Sequence, residues 1–240
     1  MARETIQQAL VQGLLARRFV ARDDLRAIYG DLCSALQVSE AFEADLDAIQ
    51  MSLSPLGLDV RTCHDQVTAV AYVALINAKG DSLAELATPY SPSELHYIRS
   101  LIGHMIHAPD ARFAIPSTQA LLVASHMQPT PLTKQAASDL LQNLERRGWF
   151  AYLRRTGAYT LTTRALCELD AFLRQEWEGA MYECLVCYAL VTLGERCASP
   201  QCQAAVHTSC IDAFCARHTS CPQCHQVWSP LPLGDSRHNE

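Results

Sequence analysis

The sequence predicts an α+β chain: two successive modules of helices closed by a β-hairpin, then a small module built around two metal ions. Three observations carry this expectation. Apolar residues recur at helical spacing in two blocks of the first 180 residues. Each block contains a pair of short β-prone runs around a turn. Eight of the eleven cysteines crowd into residues 184–224, in paired short spacings.

In the first block, Ile6, Leu10, Leu14 and Leu15 predict a helix over residues 3–20. Asp23-Asp24 opens a second, with Leu25, Ile28, Tyr29, Leu32 and Leu36 on one side, and Ala41, Leu46, Ile49 and Leu53 mark a third. Pro55-Leu56-Gly57 breaks the pattern. Leu58 to Cys63 then alternates as a strand, His64-Asp65-Gln66 turns, and Val67 to Asn77 reads as a mostly buried returning strand. Three helices followed by a hairpin is the order of a winged helix.

The second block repeats the plan without repeating the sequence. Ser91 or Ser93 caps a helix carrying Leu95, Ile98, Ile102, Met105 and Ile106. A short helix spans 118–127. Another carries Ala136, Leu140, Leu141 and Leu144, and stops at Gly148. Trp149 to Leu153 and Tyr159 to Leu161 form the hairpin around Arg154-Arg155-Thr156-Gly157, before a last helix with Leu166, Leu169, Phe172 and Leu173. The expected organisation is a winged helix over 1–92, a second over 93–180, a zinc module over 181–228 and a flexible tail over 229–240. The tandem winged helices are the expected protein-binding surface, because Leu10, Leu14, Val73 and Ile76 exceed what one small core is certain to absorb.

Composition narrows the classes. The net charge of −6 excludes a general polyanion binder, although residues 111–180 carry eight Lys/Arg against six Asp/Glu. The opening Met1-Ala2-Arg3-Glu4-Thr5-Ile6 runs into an amphipathic pattern, and the longest apolar run, Val67 to Ile76, is about half a membrane span. A soluble intracellular protein with no membrane contact is expected, in which crowded cysteines bind metal rather than pair as disulfides.

The ligand candidates read Cys184-x2-Cys187-x9-Cys197-x4-Cys202-x4-His207-x2-Cys210-x10-Cys221-x2-Cys224. A C-x-x-C step lets two thiolates on one tight turn reach the same ion, and zinc takes four such ligands tetrahedrally. Four pairs make two complete sites, hence two zinc ions. With no position left open for water, both are structural, which argues against a zinc hydrolase. Spacing alone does not say which pairs combine. Cys215, His218 and His225 are alternative ligands. Ile211, Phe214, Cys215 and His218 fall at i, i+3, i+4 and i+7, which places Cys215 on the buried face of a short helix.

The cluster resembles RING and PHD modules. Their interleaved pairing implies one zinc on Cys184, Cys187, His207 and Cys210, and the other on Cys197, Cys202, Cys221 and Cys224. PHD fingers usually carry Trp two residues before the seventh ligand, where this chain has Thr219. The Cys221-Pro222-Gln223-Cys224 ending resembles RING modules, which is the preferred reading.

Across the chain, five further segments join the zinc spacing. They are Leu56–Arg61, Tyr72–Asn77, Leu83–Leu95, Leu140–Phe150 and Tyr159–Leu169. Together they resemble one family, the first non-SMC element of the SMC five/six chromosome complex. The resemblance implies tandem winged helices, a variant RING, a MAGE-domain partner and a kleisin subunit. It also implies a place in the nucleus, on chromosomes, in DNA repair and recombination, with RING-type ubiquitin-protein ligase activity assisted by the MAGE partner.

Three functions follow for testing. As a ligase subunit, the module would hold a charged ubiquitin-conjugating enzyme by Leu185, Val186, Ile211, Phe214, Pro222 and His225, catalysing by positioning. Active RING ligases often carry a basic linchpin after the last ligand, where this chain has His225-Gln226, so activity without the partner is expected to be weak. As a non-catalytic assembly module, the zinc domain would use metal because its own core is small. As a sequence-independent DNA contact, Arg146, Arg147, Arg154, Arg155 and Arg164 would meet phosphates around a helix end and a wing.

Overall fold

A computed structural model describes residues 2–77, 90–129 and 131–235. The chain separates into two compact units. One comprises Met1–Asp65 with Ala69–Ser82, the other Gln66–Thr68 with Leu83–Glu240.

In the first unit, α1 (Ala2–Arg17), β1 (Phe19–Ala21), α2 (Arg22–Leu36) and α3 (Phe42–Leu53) precede a hairpin of β2 (Leu58–His64) and β3 (Ala71–Asn77). Both strands of the hairpin were legible in sequence, β3 starting later than expected. The three-residue β1 was not foreseen. It pairs antiparallel with the far side of β3, giving the strand order β1-β3-β2. Ile6, Leu10 and Leu14 of α1, Leu25, Tyr29 and Cys33 of α2, and Leu46, Ile49 and Leu53 of α3 form the core with Val73 and Leu75 of β3. Leu10, Leu14, Val73 and Ile76, offered above as surplus apolar surface, are all buried. The core of this unit takes Leu10, Leu14 and Val73, whereas Ile76, on the opposite face of β3 from Val73 and Leu75, is buried outside that cluster. Among the described residues, the large exposed apolar side chains of this unit are instead Leu15, Ile28, Leu36, Met51, Leu56 and Val70.

One polar group interrupts this core. Asp45 of α3 is 2% exposed and accepts hydrogen bonds from Tyr29 Oη (2.6 Å), Gln7 Nε2 (2.8 Å) and Arg3 Nε (2.9 Å). Tyr29 Oη in turn accepts from the Ala41 amide at 2.7 Å, which fixes the entry to α3. Burial raises the Asp45 carboxyl, and the three donors outweigh it, so its pKa lies below the usual range. A buried carboxylate with every partner met ties three helices together.

The second unit begins with α4 (Pro92–Ile106), β4 (Ala114–Pro116), α5 (Ser117–His126) and α6 (Lys134–Arg146). The hairpin of β5 (Phe150–Leu153) and β6 (Ala158–Leu161) follows, then α7 (Thr163–Glu168) and α8 (Asp170–Glu176). Ser91, of the two expected caps, is the one that caps α4, in a reciprocal box with Glu94. The three strands run β4-β6-β5, so β4, also unforeseen, plays the part β1 plays in the first unit. The single last helix expected from periodicity is two, divided at Leu169.

The remaining described strands make one five-stranded sheet: β7 (Tyr182–Cys184), β8 (Leu190–Val191), β9 (Gly194–Cys197), β10 (Ala204–His207) and β11 (Pro230–Leu233), ordered β11-β9-β10-β7-β8. A five-residue helix, α9 (Ile211–Cys215), lies between β10 and β11. Gly194 is obligatory, since a Cβ there would lie 2.1 Å from the Val206 carbonyl oxygen of β10.

Two features correct the expected plan. Residues 230–233, placed in a flexible tail, pair with β9 through all four positions. Prolines at alternate positions, Pro230 and Pro232, leave every second amide for the ladder of an edge strand. Residues 236–240 of that expected tail lie outside the described residues. Residues 93–180 and 181–228, expected as separate domains, share one hydrophobic core. Met181, Leu190, Val191, Val206, Phe214 and Leu233 belong to the same buried cluster as Tyr97, Phe113, Leu161 and Leu173. Gly234, at φ +84°, donates its N–H to the Ala111 carbonyl (2.8 Å), fastening β11 beside β4. No helix of the described residues is long and apolar enough to cross a membrane.

Candidate metal centre

Two short turns of like geometry anchor the cluster. In Cys184–Tyr188, the Tyr188 amide donates to the Cys184 carbonyl at 2.9 Å, and Tyr188 has φ +61°. In Cys221–His225, the His225 amide donates to the Cys221 carbonyl at 2.9 Å, and His225 has φ +59°. Each turn aims two sulfurs inward. In the first, the Val186 amide also points at Cys184 Sγ, 3.4 Å away.

The fold crosses these turns with the two middle pairs. Cys184 and Cys187 meet His207 and Cys210 from the end of β10 and the turn after it. Cys221 and Cys224 meet Cys197, at the end of β9, and Cys202. Within each quartet, all four ligand atoms lie within 4.8 Å of one another.

The spacings fit a tetrahedral ion. Bonds of about 2.3 Å to sulfur and 2.1 Å to nitrogen imply ligand edges of roughly 3.6–3.8 Å. Observed edges are 3.7 Å for Cys197–Cys224, 3.5 Å for Cys202–Cys221, 3.3 Å for Cys187 Sγ to His207 Nδ1, and 4.0 Å for Cys210 Sγ to His207 Nδ1. His207 is 5% exposed, and its Nε2 donates to the Leu190 carbonyl at 3.1 Å. That bond fixes the tautomer and leaves the Nδ1 lone pair facing the thiolates.

Electrostatics favours a cation at both sites. A hydrogen bond from Cys187 holds Cys184 down to about 3, with His207 assisting against burial. Burial raises Cys221, but the amides of Cys224 and Gln223 bring it down to about 7. Burial pushes Cys202 up to about 12 and raises Cys197 and Cys210. Cys184 and Cys221 are thus the readily ionised thiols, one in each quartet, whereas Cys197, Cys202 and Cys210 release their protons more easily once a cation is bound. Four protein ligands per site leave no open position, so the sites suit structure rather than metal-activated water.

Other expected site residues are scattered. Pro222 and His225 are exposed, and Leu185, Val186 and Ile211 are half-buried. Phe214 is a correction. It is 1% exposed and packs its ring 4.6 Å from Trp228, so it cannot touch a conjugating enzyme. Cys215 is also corrected. It is exposed, outside both quartets, because the short α9 buries only Phe214. Sequence reasoning missed Tyr188, 72% exposed at the end of the first turn. Arg174 holds that turn, donating to the Tyr188 carbonyl (3.0 Å) and to Asp170 and Glu183. Its Asp170 pairing at i, i+4 was visible in sequence; its reach into the turn was not.

The five arginines divide. Arg146, Arg147, Arg154 and Arg155 are exposed, with Arg147 over the Tyr90 ring. Arg164 is committed internally, bonded to Glu168 (2.6 Å) and the Arg147 carbonyl (2.8 Å) and lying over Trp149. It is withdrawn from the set facing outward.

Comparison with known proteins gives concordant likenesses. The family described as "Nse1 non-SMC component of SMC5-6 complex" matches residues 7–169, and the family described as "RING-like domain" matches residues 184–224. "Non-structural maintenance of chromosomes element 1" of Schizosaccharomyces pombe is 27% identical over 184 residues, 77% of this chain and 75% of that one. The Xenopus laevis homolog is 24% identical over 226 residues, covering 92% and 82%, and the Homo sapiens homolog 26% over 191 residues, covering 79% and 70%. A chain of a solved structure titled "Nse1-Nse3-Nse4 complex" shares the fold at a TM-score of 0.79 and 22% identity, over 93% of this chain and 96% of that one.

Proposed function

Because the chain belongs to the family described as the Nse1 non-SMC component of the SMC5-6 complex, we propose that it is the ubiquitin-ligase subunit of such a complex. In this reading it binds a MAGE-domain subunit and a kleisin subunit, works on chromosomes in the nucleus, and serves DNA repair and recombination. Its two three-stranded modules are winged helices, and its two quartets hold zinc.

The crossed quartets carry the ligase reading. Each fills four positions with protein ligands, and together they fix two turns whose outer residues, Pro222 and His225 on one and Val186 on the other, remain reachable. Such a scaffold has no open metal position. What it can do is hold a charged conjugating enzyme and its ubiquitin in a reactive arrangement, which converts a loose encounter into an oriented one. His225 sits where a basic linchpin is common, and supplies a weaker, pH-dependent donor. Activity is therefore expected to depend on the partner.

The test is ubiquitin transfer by zinc-loaded full-length chain, with activating and conjugating enzymes, with and without the MAGE-domain subunit. Stimulation that requires the partner supports the reading. No stimulation by any conjugating enzyme in the assembled complex overturns it.

A second reading has its own support: the zinc module contributes Val191, Val206, Phe214 and Leu233 to a core that also contains Tyr97 and Phe113. Metal would then serve only to complete that core for complex assembly. Zinc-dependent partner binding without transfer is its signature. Exposed Arg146 and Arg154 support a sequence-independent DNA contact alongside either role.

A further inference from the structure

The two cysteine turns share one backbone design. In each, the amide of the first cysteine donates to the carbonyl that follows the turn, Cys184 to Ala189 at 2.9 Å and Cys221 to Gln226 at 2.8 Å. Each ends on a residue in the left-handed region, Tyr188 at φ +61° and His225 at φ +59°. They differ in what holds their outer ends. Among the described residues, no side chain donates to the His225 carbonyl. The Tyr188 carbonyl, by contrast, accepts from Arg174 Nη2 at 3.0 Å.

Arg174 comes from α8, and each nitrogen of its fork is engaged. Nε donates to Asp170, one helical turn back, at 3.0 Å; Nη1 donates to Glu183 of β7; Nη2 takes the Tyr188 carbonyl. The two carboxylates hold the guanidinium in one pose, and a planar fork reaches three acceptors where an ammonium would not. Its base is rigid, because the neighbouring Leu173 is 0% exposed in the core shared with Tyr97 and Leu190. The first turn is therefore gripped from within by the Cys184 and Cys187 sulfurs and from outside by α8.

We propose that Arg174 is a positioning residue for ubiquitin transfer, a role that rests on the ligase reading above: it fixes the outer end of the first turn in the pose that receives the conjugating enzyme. The second turn supplies the argument. It adopts the same backbone and gathers its own sulfurs with nothing gripping its end, so the fork is not required to build such a turn. What the fork adds is order where the first turn faces outward, at half-buried Val186 and exposed Tyr188. A surface ordered in advance binds without the cost of freezing it at contact.

This role predicts which kinetic constant moves. The turn meets the conjugating enzyme alike in the ground state and the transition state. Loosening it raises the apparent KM for that enzyme and leaves kcat near its value. A merely structural role moves the other constant: unfolded or zinc-free molecules lower the active fraction, and so kcat, with KM unmoved.

The experiment uses zinc-loaded full-length chain in complex with the MAGE-domain subunit, and titrates charged conjugating enzyme in the transfer assay. Arg174→Met keeps the stem and removes the fork. It should raise the apparent KM about threefold to tenfold, the share of a charged hydrogen bond that survives at a partly exposed site, with both zinc ions retained. Arg174→Lys keeps the charge beside Asp170 and Glu183 but not the three-way reach. It should match wild type in melting temperature while KM stays raised. With Val186→Ala already in place, Arg174→Met should add little, because both act through one turn. Amide hydrogen exchange reads the same event without any transfer. Cys184, Val186 and Tyr188 should exchange faster in Arg174→Met, and Cys221 and His225 as before. Three results overturn the proposal while the ligase reading stands: an unchanged KM in Arg174→Met, a kcat that falls in step with zinc content, or unchanged exchange in the first turn. A wild-type complex inactive with every conjugating enzyme overturns the ligase reading, and this proposal with it.

Discussion

Replacing Leu233 with alanine tests whether the zinc module and the preceding helices are one folding unit. Leu233 is 0% exposed, lies in the core shared by Tyr97, Phe113 and Phe214, and ends the strand paired with β9. Alanine removes three buried carbons from a site hemmed by backbone on two sides, Gly194 across the ladder and Gly234 against Ala111. A leucine-to-alanine change in such a place costs about 2–5 kcal/mol. In a unit of this size each kcal/mol moves the melting temperature by about 2–4 °C, so a fall of roughly 4–20 °C is expected. The assay pairs calorimetry of zinc-saturated protein with amide hydrogen exchange. Protection should fall together in β9, in β4 and along α4, and zinc should pass to a chelator faster. A loss under about 1 kcal/mol, or faster exchange in β9 with α4 untouched, would refute the shared-core argument.

Cys221→Ser should remove one of two zinc ions by metal analysis and, against the simple view of independent domains, lower exchange protection in α4 as well as in the zinc module. Asp45→Asn should cost about 1–3 kcal/mol by chemical denaturation, since Arg3, Gln7 and Tyr29 each lose a charged acceptor. Because the folded Asp45 pKa is depressed, its contribution is full above the unfolded value near 3.9 and is lost as pH falls through the folded one. The asparagine variant should therefore flatten the acid limb of the stability curve. In the transfer assay, Val186→Ala should slow the reaction without releasing zinc. His225→Arg should raise the partner-free rate up to about tenfold, with little change in stability, since the backbone there is already left-handed. Arg164→Ala should destabilise by about 1–3 kcal/mol, since it removes the ion pair to the buried Glu168 carboxylate. Arg146→Ala and Arg154→Ala should leave stability unchanged and lower the salt slope of any DNA binding by about one each.

The helices and hairpins were legible because each repeats its period over enough residues to be read, as Leu140, Leu141 and Leu144 do in α6. Phe19–Ala21 and Ala114–Pro116 are too short to show any period, and only pairing with β3 and β6 makes them strands. The eight ligand positions were legible because a C-x-x-C step has a direct chemical reading. Which pairs share an ion depends on how β9 and β10 cross, and that is tertiary information. The Ile211–His218 spacing misplaced both residues, Phe214 expected on a contact surface and found buried, Cys215 expected buried and found exposed, because a one-turn helix on a small module buries a single side chain. Pro230-Leu231-Pro232-Leu233 read as loose chain, since prolines argue against a central strand and the sequence gives no sign that an edge is waiting for them.

That last strand also sets the order in which the second unit can assemble. The bond from Gly234 to Ala111 and the packing of Leu233 close contacts between residues more than a hundred positions apart. During synthesis, the part of that core which Leu233 covers stays open until β11 has left the ribosome and the sulfurs of Cys221 and Cys224 are in reach. Such non-local closure slows folding and lengthens the time that a sticky intermediate is exposed. Zinc arriving early would shorten that interval by pinning Cys197 and Cys202 to the incoming turn. The metal would then act on the rate at which the nascent chain escapes aggregation, as well as on the stability of the finished protein.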